Sequence, residues 1–122
     1  MTKKRLDAHS TEFGLWLRDQ KELDSSLGFV TTNLDYIWAN YKTGEWMLIE
    51  EKRHNGKPAL YQRQLFEKID KLCQQDNLYY GFHILTFQNT SPDDGEMWLD
   101  GQSITNIQLF EFLQFKMALE MK

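Results

Sequence analysis

The chain has 122 residues, of which 41% are hydrophobic and 14% aromatic, with one cysteine and a formal net charge of −4. This length predicts a single domain, 1–122, with its own core, and excludes two domains. A lone Cys73 excludes an internal disulfide and a cysteine-rich zinc site, and the acidic charge argues against a protein that coats nucleic acid indiscriminately. No apolar run approaches the roughly 20 residues of a membrane span, and no leader pattern opens the chain, so we expect a soluble, cytoplasmic protein.

The first predicted elements are a helix and a strand. Residues 1–8 are basic and predict a loose N-terminal segment. Ser10 or Thr11 can cap a helix over residues 12–20, where apolar residues recur at helical spacing. A turn then leads into a predicted strand over residues 29–33.

Residues 34–52 have the pattern of two apolar strands joined by a tight turn. If Thr43 and Gly44 are the central residues of that turn, counting back along both strands places Asp35 opposite Lys52. The pairing of the hairpin is therefore a specific prediction.

Charged residues stand at the ends of these apolar strands, where packing gives no reason for them. Side chains alternate along a strand, so Asp35, Glu50 and Lys52 are expected on one face and Glu51 on the other. Together they predict a candidate site, although a charge cluster at the solvated end of a strand is the alternative that spacing alone leaves open.

The remaining elements follow in a clear order. A polar loop over 53–58 precedes a predicted helix over 60–75, an interior strand over 78–87 and a short strand over 97–99. His83, inside the interior strand, is expected to be a core histidine with satisfied hydrogen bonds rather than a ligand. The fold class is therefore α/β (α+β), with a mixed sheet of about four strands flanked by helices.

The last segment, 103–122, predicts a C-terminal helix that Thr105 and Gln108 begin with a capping box. Its apolar residues spread around most of the circumference, which is more than one packed layer needs. The helix is either buried on two sides or an oligomer interface, and we favour a homodimer formed through it.

The chemistry that fits the hairpin residues is metal-dependent hydrolysis. Mg²⁺ or Mn²⁺ takes oxygen ligands from one or two carboxylates and keeps several waters. Asp35 and Glu50 are the expected metal ligands, with a carbonyl oxygen of Glu51 as a further one. Lys52 is placed to orient a water or help deprotonate it and to offset negative charge.

Asp35, followed by Glu50-x-Lys52 on the next strand of a hairpin between two helices, resembles the PD-(D/E)xK nuclease superfamily. Leu34 stands where the motif name has proline. The resemblance implies a restriction-endonuclease-like core of order αβββαβ and a magnesium-dependent endodeoxyribonuclease. By that resemblance Asp35 and Glu50 bind the metal and Lys52 is the catalytic lysine.

Two further residues extend the resemblance towards the virus-type replication-repair nucleases and the Holliday junction resolvase-like members. Gln62, ten residues after Lys52, matches a glutamine that lies near the active site in that branch and implies a phosphate or water contact. Glu12 falls where the family has a glutamate on its first helix, which implies an additional metal ligand.

Basic residues are concentrated just after the hairpin, which predicts a face that meets a phosphate backbone. The resemblance implies that the partner is DNA, duplex or branched. The predicted nucleic-acid contacts are Arg53, His54, Lys57 and Arg63. Two alternatives remain open at this point. One is a non-catalytic module that keeps the nuclease fold and binds nucleic acid or protein, and the other is an interaction protein that works through the last helix.

Overall fold

The structure, a computed structural model, describes residues 11–116. By contacts between residues the chain divides into two compact units, one ending at Thr32 and the other beginning at Asn33. The predicted loose segment over 1–8 and residues 117–122 of the predicted C-terminal helix lie outside the described residues. Within them, that helix ends earlier than predicted, at Leu113.

The first unit contains helix α1, Glu12–Arg18, which begins as predicted at Thr11 and ends two residues early. The Thr11 side chain accepts a hydrogen bond from the N–H of Gly14 at 3.0 Å, which satisfies one of the unpaired donors at the helix start. Two short 3-10 helices follow, Lys21–Leu23 and Ser25–Leu27.

The predicted strand over 29–33 is wrong. The structure has no strand between the second 3-10 helix and Tyr36. A strand exists only where its N–H and C=O groups pair with a neighbour, and the sheet ends at the strand that begins at Tyr36. The β-branched and aromatic residues that suggested this strand are not enough without a partner.

The second unit is built on one mixed sheet of five strands in the order β1-β2-β3-β4-β5. β2 and β3 are parallel, and the other neighbours are antiparallel. The strands are β1 (Tyr36–Ala39), β2 (Trp46–Lys52), β3 (Tyr79–Phe87), β4 (Met97–Leu99) and β5 (Gln102–Ser103). The mixed α and β composition is confirmed, and β3 is interior as predicted. The predicted order αβββαβ is wrong, because the strand over 29–33 is absent and the observed order is αββαβ, and β5 was not predicted.

A helix covers each face of this sheet. Helix α2, Leu60–Cys73, connects the two parallel strands, as a parallel pair requires. Its buried Phe66 lies 4.9 Å, centroid to centroid, from the Phe82 ring on β3. Helix α3, Asn106–Leu113, packs on the other face through Leu109 and Phe112. With these two, the buried core cluster of that face consists of Met47, Ile49, Leu85, Phe87, Met97, Leu99 and Ile104.

The sequence alternation of β2 explains which side chains meet which helix. Met47 and Ile49 belong to the core cluster with α3, whereas Leu48 and Glu50 alternate with them and point to the side of α2. A charged residue is thereby buried among apolar neighbours, on the side of the sheet where the parallel strands end next to the start of α2. None of the helices between residues 11 and 116 is long and apolar enough to cross a membrane.

Candidate active site

The hairpin pairing differs from the predicted one by two residues. Tyr36 pairs with Ile49, and the N–H of Asn40 bonds to the carbonyl of Glu45 at 2.9 Å, so residues 41–44 form a longer turn. One step beyond the last pair, Asp35 falls opposite Glu50, and its predicted position opposite Lys52 is wrong. A shift of two keeps the side-chain alternation, so Asp35 and Glu50 still share a face.

Glu50 is the most unusual residue of this face. It is only 3% exposed, and its Oε2 accepts an ion-paired hydrogen bond from Lys52 Nζ at 3.1 Å. Its Oε1 is buried without a hydrogen-bond partner among residues 11–116. Burial raises the pKa of Glu50, and the nearby charge of Asp35 adds to this, while the hydrogen bond and charge of Lys52 oppose it.

Asp35 lies at the edge of the site and is exposed. Its Oδ2 accepts a hydrogen bond from the backbone N–H of Glu51 at 2.8 Å, just where the pairing of β1 with β2 ends. This bond fixes the carboxylate beside β2. Like charges directly opposite each other on neighbouring strands repel, so the pair of Asp35 and Glu50 favours a cation between them.

Gln62 joins Lys52 to the start of α2. Its Oε1 accepts from the N–H of Ala59 at 3.1 Å and lies 3.4 Å from Lys52 Nζ. The glutamine therefore caps the helix and steadies the ammonium group at the same time. It meets the hairpin residues because the first turn of α2 lies against the end of β2, and its contact with phosphate or water stays a prediction.

The Glu51 side chain lies on the other face, as the alternation predicts. It accepts hydrogen bonds from the hydroxyl of Tyr36 at 3.2 Å and from Nε of Arg53 at 3.0 Å. The charge of Glu51 raises the pKa of Tyr36. Arg53, which is predicted to bind nucleic acid, is thus held by Glu51 away from Glu50.

The other predicted contacts stand around the site rather than in it. His54 is exposed in the loop after β2 with a positive φ of 54°, and its N–H bonds to the carbonyl of Asn89 at 3.0 Å. Lys57 and Arg63 line a groove beside Glu50. Glu12 lies in the first turn of α1, in the first compact unit, and its metal-binding role stays a prediction.

The residues present fit a hard divalent cation. A buried carboxylate oxygen without a partner, next to a second carboxylate, is the kind of ligand that Mg²⁺ prefers, and this ion keeps several waters when only one or two carboxylates bind it. Residues 11–116 contain no group of three or more histidine, cysteine, aspartate or glutamate side chains placed to hold a metal. A cation at this place would be held by Asp35 and Glu50 and completed by water, and the metal-binding roles of the Glu51 carbonyl and of Glu12 stay predictions.

Three residues at the site were not predicted from the sequence. Ile84, Thr86 and Trp98 form the floor of the groove that Lys57 and Arg63 border. The available signal was the alternation of β4, since Met97 and Leu99 are core residues and the residue between them must face the other way.

The chain matches no known family model, no characterised protein and no solved structure.

Proposed function

We propose that this protein is a metal-dependent nuclease that hydrolyses DNA phosphodiester bonds at Asp35, Glu50 and Lys52. The observation that carries the proposal is the buried carboxylate of Glu50, which has one oxygen bound to Lys52 and the other without a partner among residues 11–116. Burying a carboxylate without satisfying it is costly. A cation bound at this oxygen would remove that cost.

Each side chain has a distinct task in such a reaction. A divalent cation bound by Asp35 and Glu50 would withdraw electron density from the phosphoryl group and supply an activated water. Lys52, held between Glu50 and Gln62, carries its positive charge to the place where negative charge develops on the phosphate. The N-terminus of α2, which begins beside Lys52, favours the same anion.

Removal of the metal tests the proposal. The purified protein is expected to cleave at least one of linear, nicked, branched and single-stranded DNA in Mg²⁺ or Mn²⁺, with no cleavage in EDTA and recovery when Mg²⁺ is restored. A Lys52→Met preparation, purified in the same way, controls for a contaminating nuclease and should be about a hundredfold to ten-thousandfold slower. If no substrate is cut with either metal, or if Lys52→Met cuts equally well, the protein is not this nuclease.

A non-catalytic binding module is the second candidate, because the same contacts have structural uses. Asp35 accepts a hydrogen bond from the N–H of Glu51, where the pairing of β1 with β2 ends. Lys52 neutralises part of the Glu50 charge without any metal. On this reading DNA is bound without cleavage, and the binding survives Lys52→Met.

We further propose that a second copy of the chain docks on the exposed side of α3. Phe112 is 3% exposed and belongs to the core, whereas Ile107 and Phe110 are 70% and 65% exposed on the other side of the helix. Residues three apart on a helix are neighbours, so these two form one apolar patch.

Phe110→Glu is expected to convert a dimer into a monomer in light scattering after gel filtration, because it places a charge in the proposed interface. Glu111→Gln, on the same helix, is the control and should leave the dimer intact. A wild type that is monomeric at high concentration, or a variant that remains dimeric, would exclude this interface.

A further inference from the structure

The groove beside Glu50 continues the active-site face of the sheet. Glu50 pairs with Ile84 and Lys52 with Thr86 in the parallel ladder, and Thr86 pairs with Trp98 on β4. Paired residues point to the same side of a sheet. Lys52, Thr86 and Trp98 therefore form one row across three strands, on the side of α2.

The row from Lys52 to Trp98 is short enough for a single nucleotide to span. Neighbouring strands are about 4.8 Å apart, so Trp98 lies roughly 10 Å from Lys52, two strands away. The groove has a volume of about 600 Å³, within the range of about 300–1,000 Å³ that is usual for small-molecule pockets. A nucleotide next to a phosphate bound at Lys52 would reach it.

The lining is apolar on its floor and cationic on its border. Ile84 and Trp98 supply apolar and aromatic surface, while Lys57 and Arg63 are exposed at the edge. Within residues 11–116 neither cation forms an ion pair. An aromatic floor suits a base, and two cations without acidic partners suit its phosphate.

The part of the groove lining at Asp100 is held in place by hydrogen bonds of its own. Asp100 lines the groove, but its Oδ2 is bound to Nδ1 of His83 at 2.7 Å and its Oδ1 accepts from the N–H of Ile84 at 2.8 Å. Asp100 thus directs its carboxylate to His83 and to the backbone of Ile84, and it forms no ion pair with Lys57 or Arg63.

We propose that this groove binds one unstacked nucleotide adjacent to the scissile phosphate, with its base on Trp98 and its phosphate at Lys57 and Arg63. The inference rests on the proposed nuclease function and names its substrate class. A base inside a duplex has both faces covered by its neighbours, whereas stacking on Trp98 needs a free face. The preferred substrate is therefore DNA with an unpaired strand, such as a flap, a frayed end or a branch point.

Binding of a short fluorescein-labelled single strand, followed by fluorescence anisotropy in EDTA, tests the groove without any cleavage. Trp98→Ala is expected to weaken binding about fivefold to a hundredfold, the usual effect of removing one base–aromatic stack. Trp98→Phe, which retains a ring, should recover most of the affinity. Lys57→Met should weaken binding and lower the salt dependence by about one counterion, without touching the floor.

Trp38→Phe is the matched control, because Trp38 pairs with the core residue Met47 and donates its Nε1–H to the carbonyl of Leu113 at 2.7 Å on the other face. Its affinity should equal that of the wild type. Unchanged affinity in both Trp98→Ala and Lys57→Met would overturn the proposal, as would tighter binding to a fully paired duplex than to the single strand.

The groove proposal and the nuclease proposal can each fail independently of the other. Loss of binding in Trp98→Ala by a protein that cuts nothing in Mg²⁺ would leave a single-strand binding groove and remove the nuclease. Cleavage by a protein whose Trp98→Ala variant binds normally would retain the nuclease and remove the groove.

Discussion

Glu50→Gln is expected to lower Mg²⁺-dependent DNA cleavage by about a thousandfold or more. Stabilisation of the transition state by a bound metal is worth several kcal/mol, and each 1.36 kcal/mol corresponds to a factor of ten in rate. Glutamine has the shape of glutamate and still accepts a hydrogen bond from Lys52, but it lacks the charge that holds the cation. Single-turnover cleavage with saturating enzyme separates this loss from weaker DNA binding.

The same substitution should not destabilise the metal-free protein. Burial raises the pKa of Glu50 above its ordinary value, so the ionised carboxylate opposes folding once the pH exceeds that ordinary value. Glutamine removes this opposing contribution. The Lys52 side chain remains 20% exposed, so its ammonium group keeps contact with water when the carboxylate charge is lost.

Thermal unfolding provides a second measurement. In EDTA the melting temperature of Glu50→Gln should equal or exceed that of the wild type, with a difference that grows as the pH rises from the ordinary pKa of a glutamate to the raised pKa of Glu50 and is constant above it. Mg²⁺ should raise the melting temperature of the wild type only, because a ligand that binds the folded state alone stabilises it by mass action, by about 2.7 kcal/mol at a hundred times its Kd.

Glu51→Gln is the matched control, since it makes the same chemical change one residue away on the other face of the sheet. It should keep cleavage within a fewfold of the wild type. Cleavage by Glu50→Gln at the wild-type rate, or equal losses in the two variants, would mean that Glu50 does not hold a catalytic metal.

Much of the fold was accessible from the sequence because local signals and packing agree there. Thr11 and Thr105 precede helices in the structure, as the sequence predicts. The apolar run of β3 and the short β4 also lie where their composition predicts. The site residues of β2 could also be predicted, because their placement depends on a local pattern. Alternation alone decides that Glu50 and Lys52 share a face, whichever register the hairpin takes.

Which residues pair across neighbouring strands was harder to predict, because the register depends on the backbone conformation of turns and bulges. The hairpin uses a longer turn than the two central residues that Thr43-Gly44 suggested, and this moved Asp35 from Lys52 to Glu50. Between Trp46 and Leu48 the register with β3 also shifts, where Gly81 has a φ of 103°. A glycine inside a strand indicates such a bulge, but only tertiary contacts decide its consequence.

The groove could not be predicted from the sequence at all, because it needs three strands in the correct order. Trp98 meets Lys52 only through Thr86, and no local pattern connects residues so far apart in the chain. The basic residues that follow β2 are grouped differently in the structure than in the sequence prediction. The sequence grouped Arg53 with Lys57 and Arg63, and the ion pair with Glu51 takes Arg53 to the other face.

A second large effect is expected where the buried His83 pairs with the exposed Asp100, a residue that lines the groove. His83 is 4% exposed, as the prediction of a satisfied core histidine requires, with Nδ1 against the Asp100 carboxylate and Nε2 against the carbonyl of Tyr80 at 2.8 Å. Both partners are acceptors, so the two contacts together favour the protonated imidazole, in which both ring nitrogens donate. Burial lowers the pKa of His83, but the hydrogen bond and charge of Asp100 outweigh it and raise the pKa.

Asp100→Asn is therefore expected to reduce the free energy of unfolding by about 1.5–3 kcal/mol at pH 6, the usual range for hydrogen bonds to charged groups. Asparagine tolerates the positive φ of 51° at this position, so the backbone of the β4–β5 turn has no reason to change. Urea unfolding of both proteins measures the difference.

The pH dependence separates the charged pair from simple loss of packing. A pKa that is higher in the folded state stabilises the fold fully below the unfolded value, near 6.5, and the stabilisation is lost as the pH rises through the folded pKa. The wild type should lose stability over that range, and Asp100→Asn should lose less, so the two curves converge at alkaline pH. Glu96→Gln, which removes an exposed carboxylate, controls for the loss of a negative charge and should parallel the wild type. Parallel curves for Asp100→Asn and the wild type would show that His83 is neutral in the core and that shape alone holds this part of the groove lining.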